Sequence, residues 1–203
     1  MISDRLVLAF DVGTRNLGVC LLNDYIGTVI KRKPPHIKFP PTMIIWKTFD
    51  LYEKEAKSQK ECAHRLALRL HQFLDLLDQS YSPYIPSLWK KLKLVGIESQ
   101  AVSTAVMKRL ECYLLSYFLL RCPHLPSGKI KVISASAKLR LHGMDHEKIR
   151  NYNDRKEMAI TYMQRYISLR LDADDVTLEK LARLDADRCD AALLALSMTK
   201  FSF

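Results

Sequence analysis

The chain has 203 residues, enough for one sizeable hydrophobic core and short for two. Its hydrophobic content of 48% and mean hydropathy of −0.10 describe an ordinary globular composition, and no apolar run approaches the roughly 18–20 residues of a membrane-spanning helix. Lys and Arg outnumber Asp and Glu by 32 to 22, a net charge of +10 spread along the chain rather than gathered in a tail, which points to a folded basic face and a polyanionic partner such as nucleic acid.

In chain order, residues 5–12 read as a strand, "LVLAF" running apolar into Asp11, and "LGVCLLN" (17–23) reads as its hairpin partner after the turn "GTRN". "KRKPPHIKFPP" (31–41) holds four prolines and is a loop, because proline cannot donate to a sheet ladder. "TMIIWKTFDL" (42–51) is a third strand. From Lys54 to Gln79, Ala63, Leu66, Leu70, Phe73, Leu74 and Leu77 recur at helical spacing, and "SYSPYIPSLWKK" breaks that helix. "LKLVGIE" (92–98) is a fourth strand ending in Glu98. Residues 101–120 predict a helix with Val102, Val106, Leu110, Tyr113, Leu114 and Tyr117 on one side, and "KIKVIS" (129–134) a fifth strand. A helix over 154–169 with Asp154 as its N-cap, a short helix over 176–184 and a last helix over 186–200 complete the chain. The order predicts an α/β fold of one domain over 1–203: a five-stranded mixed sheet, three antiparallel strands first and then alternating strands and helices.

Five cysteines, odd in number, scattered and without a C-x-x-C pair, argue against zinc or a disulfide framework and for reduced thiols in an intracellular compartment. The first residues show neither a basic segment followed by an apolar run nor an Arg/Ser-rich stretch, so no secretory or transit signal is expected.

The acids are more telling. Asp11 and Glu98 each end an apolar strand, and Asp187 and Asp190 in "DADRCDAALLALS" share one face of the last helix at i, i+3. Leu193, Leu194 and Ser197 continue the Asp190 face, so that face looks inward. Taken singly, a strand-end Asp serves a turn more often than a metal, and Asp187, like Asp185, reads as helix-terminal charge. Together, converging inward carboxylates repel unless a cation neutralises them. Hard oxygen ligands suit Mg²⁺ or Mn²⁺, two of which would activate a water and stabilise the leaving oxygen of a phosphodiester.

"AFDVGTRN", "GIESQ" and "DADRCDAALLAL" resemble the RuvC-type Holliday junction resolvases, above all the branch of fungal mitochondria and large DNA viruses (poxvirus-type). The resemblance implies an RNase H-like fold, a homodimer, and two Mg²⁺ (Mn²⁺ as substitute) held by Asp11, Glu98, Asp187 and Asp190. It implies paired symmetric nicks across a four-way DNA junction, leaving 5′-phosphate and 3′-hydroxyl ends, and a dimer contact near the helix after Glu98. "NYNDRKEMAI" is similar to the basic segment that family members place at the scissile phosphate, which nominates Lys156 as catalytic with Arg155 beside it. Candidate DNA contacts are Arg15, Gln100, Lys108, Arg109, Lys138, Arg140 and Arg155, with Lys31, Arg32 and Lys33 in the proline-rich loop. Such a protein is expected in a viral cytoplasmic replication site, the host-cell cytoplasm or a mitochondrion.

Other readings stay open. "DVGTRNLG" also resembles the phosphate hairpin of actin-like ATPases, which need two such lobes, and the opening of small RuvC-related nucleases of ribosomal RNA maturation, which lack a Glu98 in the "IESQ" setting. RNase H proper is a third relative, although its acids do not usually end as D-x-x-D. A catalytically silent junction-binding module is the non-enzymatic alternative.

Overall fold

The computed structural model describes residues 5–24, 42–51, 59–81, 87–135, 151–170 and 185–199. β1 (Leu6–Asp11) and β2 (Leu17–Asn23) are buried along their whole length, as continuous apolar runs require when both faces of a sheet are covered. They form the expected hairpin, with Asp11 opposite Gly18. β3 (Thr42–Phe49) pairs antiparallel with β2; β4 (Leu92–Glu98) pairs parallel with β1, and β5 (Ile130–Ile133) parallel with β4. The sheet order is β3-β2-β1-β4-β5, which puts β1 at its centre.

Side chains alternate across β1 and sort the core into two layers. Leu6, Leu8 and Phe10 face α1 (Gln59–Tyr81), the single-turn α2 (Leu88–Lys91) and α3 (Ala105–Arg121), where Leu66, Leu70, Leu74, Leu114 and Phe118 are buried. Val7 and Ala9 face the other layer, built from α4 (Tyr152–Arg170) and α5 (Ala186–Ser197). α5 lies on β1 and β2, and α4 packs against α5. From Cys189 to Leu196 every residue of α5 is buried, so this helix is embedded rather than amphipathic.

Several bounds differ from expectation. α3 starts at Ala105, because Ala101–Thr104 closes a turn in which both the backbone N–H and the hydroxyl of Thr104 donate to the Ala101 carbonyl; Val102, 84% exposed, is therefore off the core face. Asp154 is not the N-cap of α4. Asn151 Oδ1 accepts the Asp154 N–H at 3.0 Å and Asp154 Oδ2 accepts the Asn151 N–H at 3.1 Å, a capping box with Asn151 as the cap. The expected break after α1 contains α2, whose Leu88 and Trp89 are buried. β3 ends two residues early and α5 ends at Ser197. The proline-rich loop, Lys138, Arg140 and the expected helix over 176–184 lie outside the described residues.

Cys20, Cys122 and Cys189 are buried free thiols and Cys112 is an exposed one. Burial pushes the Cys122 thiol up to about 11 and the Cys189 thiol up to about 12, with Asp78 and Asp190 respectively adding to the effect. Among the described residues, no helix is long and apolar enough to cross a membrane.

Candidate active site

The parity of β1 that sends Val7 and Ala9 toward α5 sends Asp11 there too. On β4, Val95 and Ile97 join the α3 layer, so Gly96 and Glu98 face the α5 side. Phe10 is level with Ile97 across the parallel pair, which puts both acids at the carboxyl ends of adjacent strands. α5 arrives over that edge with its first turn. Asp185 caps the helix by accepting the Asp187 N–H at 3.1 Å, leaving Asp187 and Asp190 to face the sheet.

The carboxylates of Asp11, Asp187 and Asp190 offer oxygens that all lie within 4.8 Å of one another. Asp11, Glu98 and Asp190 are buried, at 7%, 9% and 6% exposure; Glu111, under the loop that follows Glu98, is the one other buried charged residue among the described residues. Glu98 stands outside the 4.8 Å cluster, one strand over, and lines the same cleft of about 570 Å³. That cleft also exposes Thr14, Arg15 and Asn16 of the β1–β2 turn, Ser99 and Gln100 after β4, and Arg155 with Lys156.

Lys156 is not solvated, as a lysine near a helix start usually is. It precedes Ala159 and Met163 on the face of α4 that packs against α5, so its side chain runs inward. Its ammonium donates to Asp187 Oδ1 at 2.5 Å and to Asp190 Oδ2 at 2.7 Å, and lies 3.8 Å from Asp11 Oδ2. Burial works against this charge, but the carboxylates of Asp190 and Asp11 and the hydrogen bonds to Asp187 and Asp190 outweigh it. The Lys156 pKa is held above the ordinary lysine value, and the side chain is a fixed cation.

The donor set fits a hard divalent ion. Oxygens within 4.8 Å of one another come close to the span of about 4.2 Å across an octahedral site with bonds of about 2.1 Å. The acids already enclose one cation, the Lys156 ammonium.

Of the other expected contacts, Arg15, Gln100 and Arg155 line the cleft. Lys108 is bound instead to Glu111, and neither it nor Arg109 borders the cleft. Three residues that shape the site escape sequence reasoning. A Cβ on Gly18 would overlap the Asp187 carbonyl oxygen and crowd Ala191 and Asp11, so the missing side chain is what lets α5 settle beside β1. Trp46 on β3 donates Nε1–H to the Arg188 carbonyl at 2.7 Å, and the Arg188 guanidinium stacks over its ring, which pins the α5 turn between Asp187 and Asp190. Glu111 was signalled by its place on the apolar stripe Met107–Glu111–Leu114–Phe118, where an acid is out of character.

No protein-family model matches the chain, and no curated protein sequence matches it significantly. Solved structures do. The yeast mitochondrial Holliday junction resolvase superposes with a TM-score of 0.54 at 13% identity, covering 94% of this chain and 77% of that one. Thermus thermophilus RuvC gives 0.52 at 12% identity, covering 95% and 92%, and its complex with Holliday junction substrate gives 0.51 at 12%, covering 95% and 91%. The likeness is one of fold: the chain has the RNase H-like α/β architecture of RuvC, with a mixed five-stranded sheet covered by helices.

Proposed function

We propose that the chain is a divalent-cation-dependent endonuclease that resolves four-way DNA junctions, a single nuclease domain over 1–203 acting as a homodimer. The observation that carries this reading is the meeting of Asp11, Asp187 and Asp190, from a central strand and a buried helix, beside Glu98 on a fold shared with junction resolvases. Asp11, Glu98, Asp187 and Asp190 would hold Mg²⁺ or Mn²⁺, two ions per site. Such ions supply an activated water and charge stabilisation at the departing oxygen of a phosphodiester.

The protein's own groups do the rest. Buried carboxylates fixed by strand ends and a capped helix cost no reorganisation when substrate arrives. Lys156 supplies a permanent positive charge beside the scissile phosphate, where negative charge develops. Arg15 and Arg155 at the rim hold flanking phosphates, and Gln100 faces the same space, so binding weakens steeply with salt. A junction presents two strands to be cut symmetrically, and a two-fold dimer matches that demand. The exposed apolar residues Leu119 and Leu120 at the end of α3, at 58% and 81% exposure, supply a surface for it. A viral cytoplasmic site, the host cytoplasm and the mitochondrion each hold such DNA.

The test is a synthetic four-way junction incubated with wild type and Asp190→Asn, with and without Mg²⁺. Paired symmetric nicks from wild type only, with 5′-phosphate and 3′-hydroxyl ends and with binding retained by the variant, are expected. Tight binding without cleavage under either Mg²⁺ or Mn²⁺ leaves a silent binding module. Preference for structured RNA moves the activity to RNA processing.

A further inference from the structure

Glu111 lies in the second turn of α3 and is 4% exposed. A carboxylate so buried is costly unless its oxygens are taken up, and both are. Oε2 accepts the backbone N–H of Gln100 at 2.7 Å, and Oε1 accepts the Lys108 ammonium at 2.6 Å. Gln100 is two residues past Glu98 and is tied back to it, its Nε2 donating to the Glu98 carbonyl at 3.4 Å. On the other side, Ser99 N–H donates to the Ile133 carbonyl at 2.8 Å. The chain leaving β4 is thus clamped between β5 and Glu111 just where Glu98, Ser99 and Gln100 enter the cleft. Packing alone does not call for an acid here, since Leu110 and Leu114 on either side belong to the apolar core.

We propose that Glu111 is a positioning residue: by holding the Gln100 N–H it fixes the backbone from Glu98 to Gln100, and with it the angle at which the Glu98 carboxylate meets a bound cation. This rests on the reading of the cleft as a cation site. A peptide N–H in a strand-to-helix turn can rotate away from its acceptor, carrying the preceding residues with it. A carboxylate anchored on a packed helix prevents that rotation, as groups behind a metal's direct ligands commonly do.

The experiment measures Mn²⁺ binding by calorimetry, and the Mg²⁺ concentration for half-maximal junction cleavage, in wild type, Glu111→Leu and Glu111→Gln, with Asp190→Asn as control. Glu111→Leu removes the acceptor and is expected to weaken Mn²⁺ binding by about 10–100-fold and to raise the Mg²⁺ requirement in step. Glu111→Gln keeps a carbonyl oxygen for the Gln100 N–H and restores most of that loss. Should Glu111→Leu fail to fold, Glu111→Asp, whose shorter side chain falls short of the N–H, takes its place with the same expected loss. Wild-type affinity in the Leu or Asp variant, or a Gln variant as impaired as Leu, overturns the proposal. A lowered melting temperature with unchanged cation affinity does so too, because it leaves Glu111 a purely structural role. If wild type binds no Mn²⁺, or Asp190→Asn binds it equally well, the cation site falls and this proposal falls with it.

Discussion

Oxygens of Asp11, Asp187 and Asp190 within 4.8 Å of one another repel by roughly 3 kcal/mol or more per pair at an effective dielectric near 20. Without a metal, the Lys156 ammonium offsets that repulsion through its contacts to all three. Replacing Lys156 by Met is therefore expected to lower the unfolding free energy of the metal-free protein by about 1–3 kcal/mol, read by urea denaturation in EDTA. The pKa of Lys156 is raised, so its contribution is complete below the unfolded lysine value of about 10.4, fades as pH climbs from there toward the folded value, and is gone above it. The gap between wild type and Lys156→Met should accordingly stay level from about pH 6 to about pH 9. It should narrow when Mn²⁺ is added, because the divalent ion neutralises the same carboxylates. A Met variant as stable as wild type in EDTA would show that Lys156 does not balance the site.

α5 carries two of the four acids, and its seating depends on a gap in β2. Gly18 leaves room for the Asp187 carbonyl oxygen, while Trp46 holds the neighbouring Arg188 carbonyl from β3. Gly18→Ala forces the helix off the sheet, because the contact is with backbone and cannot relax by a rotamer change. Overpacking of this kind costs about 1–3 kcal/mol, against which alanine regains about 0.5–1 kcal/mol of strand entropy. The expected result is a small fall in melting temperature and a far larger fall in junction cleavage, since Asp187 is carried away from Asp11. Equal losses in both would mean that α5 is seated by its buried apolar side chains alone. The hairpin that puts Gly18 opposite Asp11 was legible in the residues, but the helix that fills the gap comes from the far end of the chain and left no local signal.

Across the whole molecule, two surfaces await a partner under the proposed function. Arg15 and Arg155 line the cleft, in keeping with the net charge of +10, and α3 ends near the exposed pair Leu119 and Leu120. Sedimentation of wild type is expected to show a dimer. Leu119→Glu combined with Leu120→Glu should shift it to monomer, by setting charges on an apolar contact, and convert paired junction cuts into unpaired nicks. A double variant that stays dimeric moves the contact elsewhere on the surface.

From the residues alone came the strands, the order of the described elements but for α2, the mixed sheet and the four acids, because apolar runs, helical spacing and acids at strand ends are local patterns that a chain writes in consecutive positions. The i, i+3 spacing of Asp187 and Asp190 already placed them on one helix face. Only the tertiary structure decided that Asp11 shares that face. It also turned Lys156 inward among the acids, left Gly18 bare for α5 and gave Glu111 a backbone to hold. The first three are contacts between segments far apart in the chain, set by how β1, β2, α4 and α5 pack, while Glu111 reaches back eleven residues from α3 to the end of β4. Local periodicity can say which face a residue occupies but not which residue will meet it there.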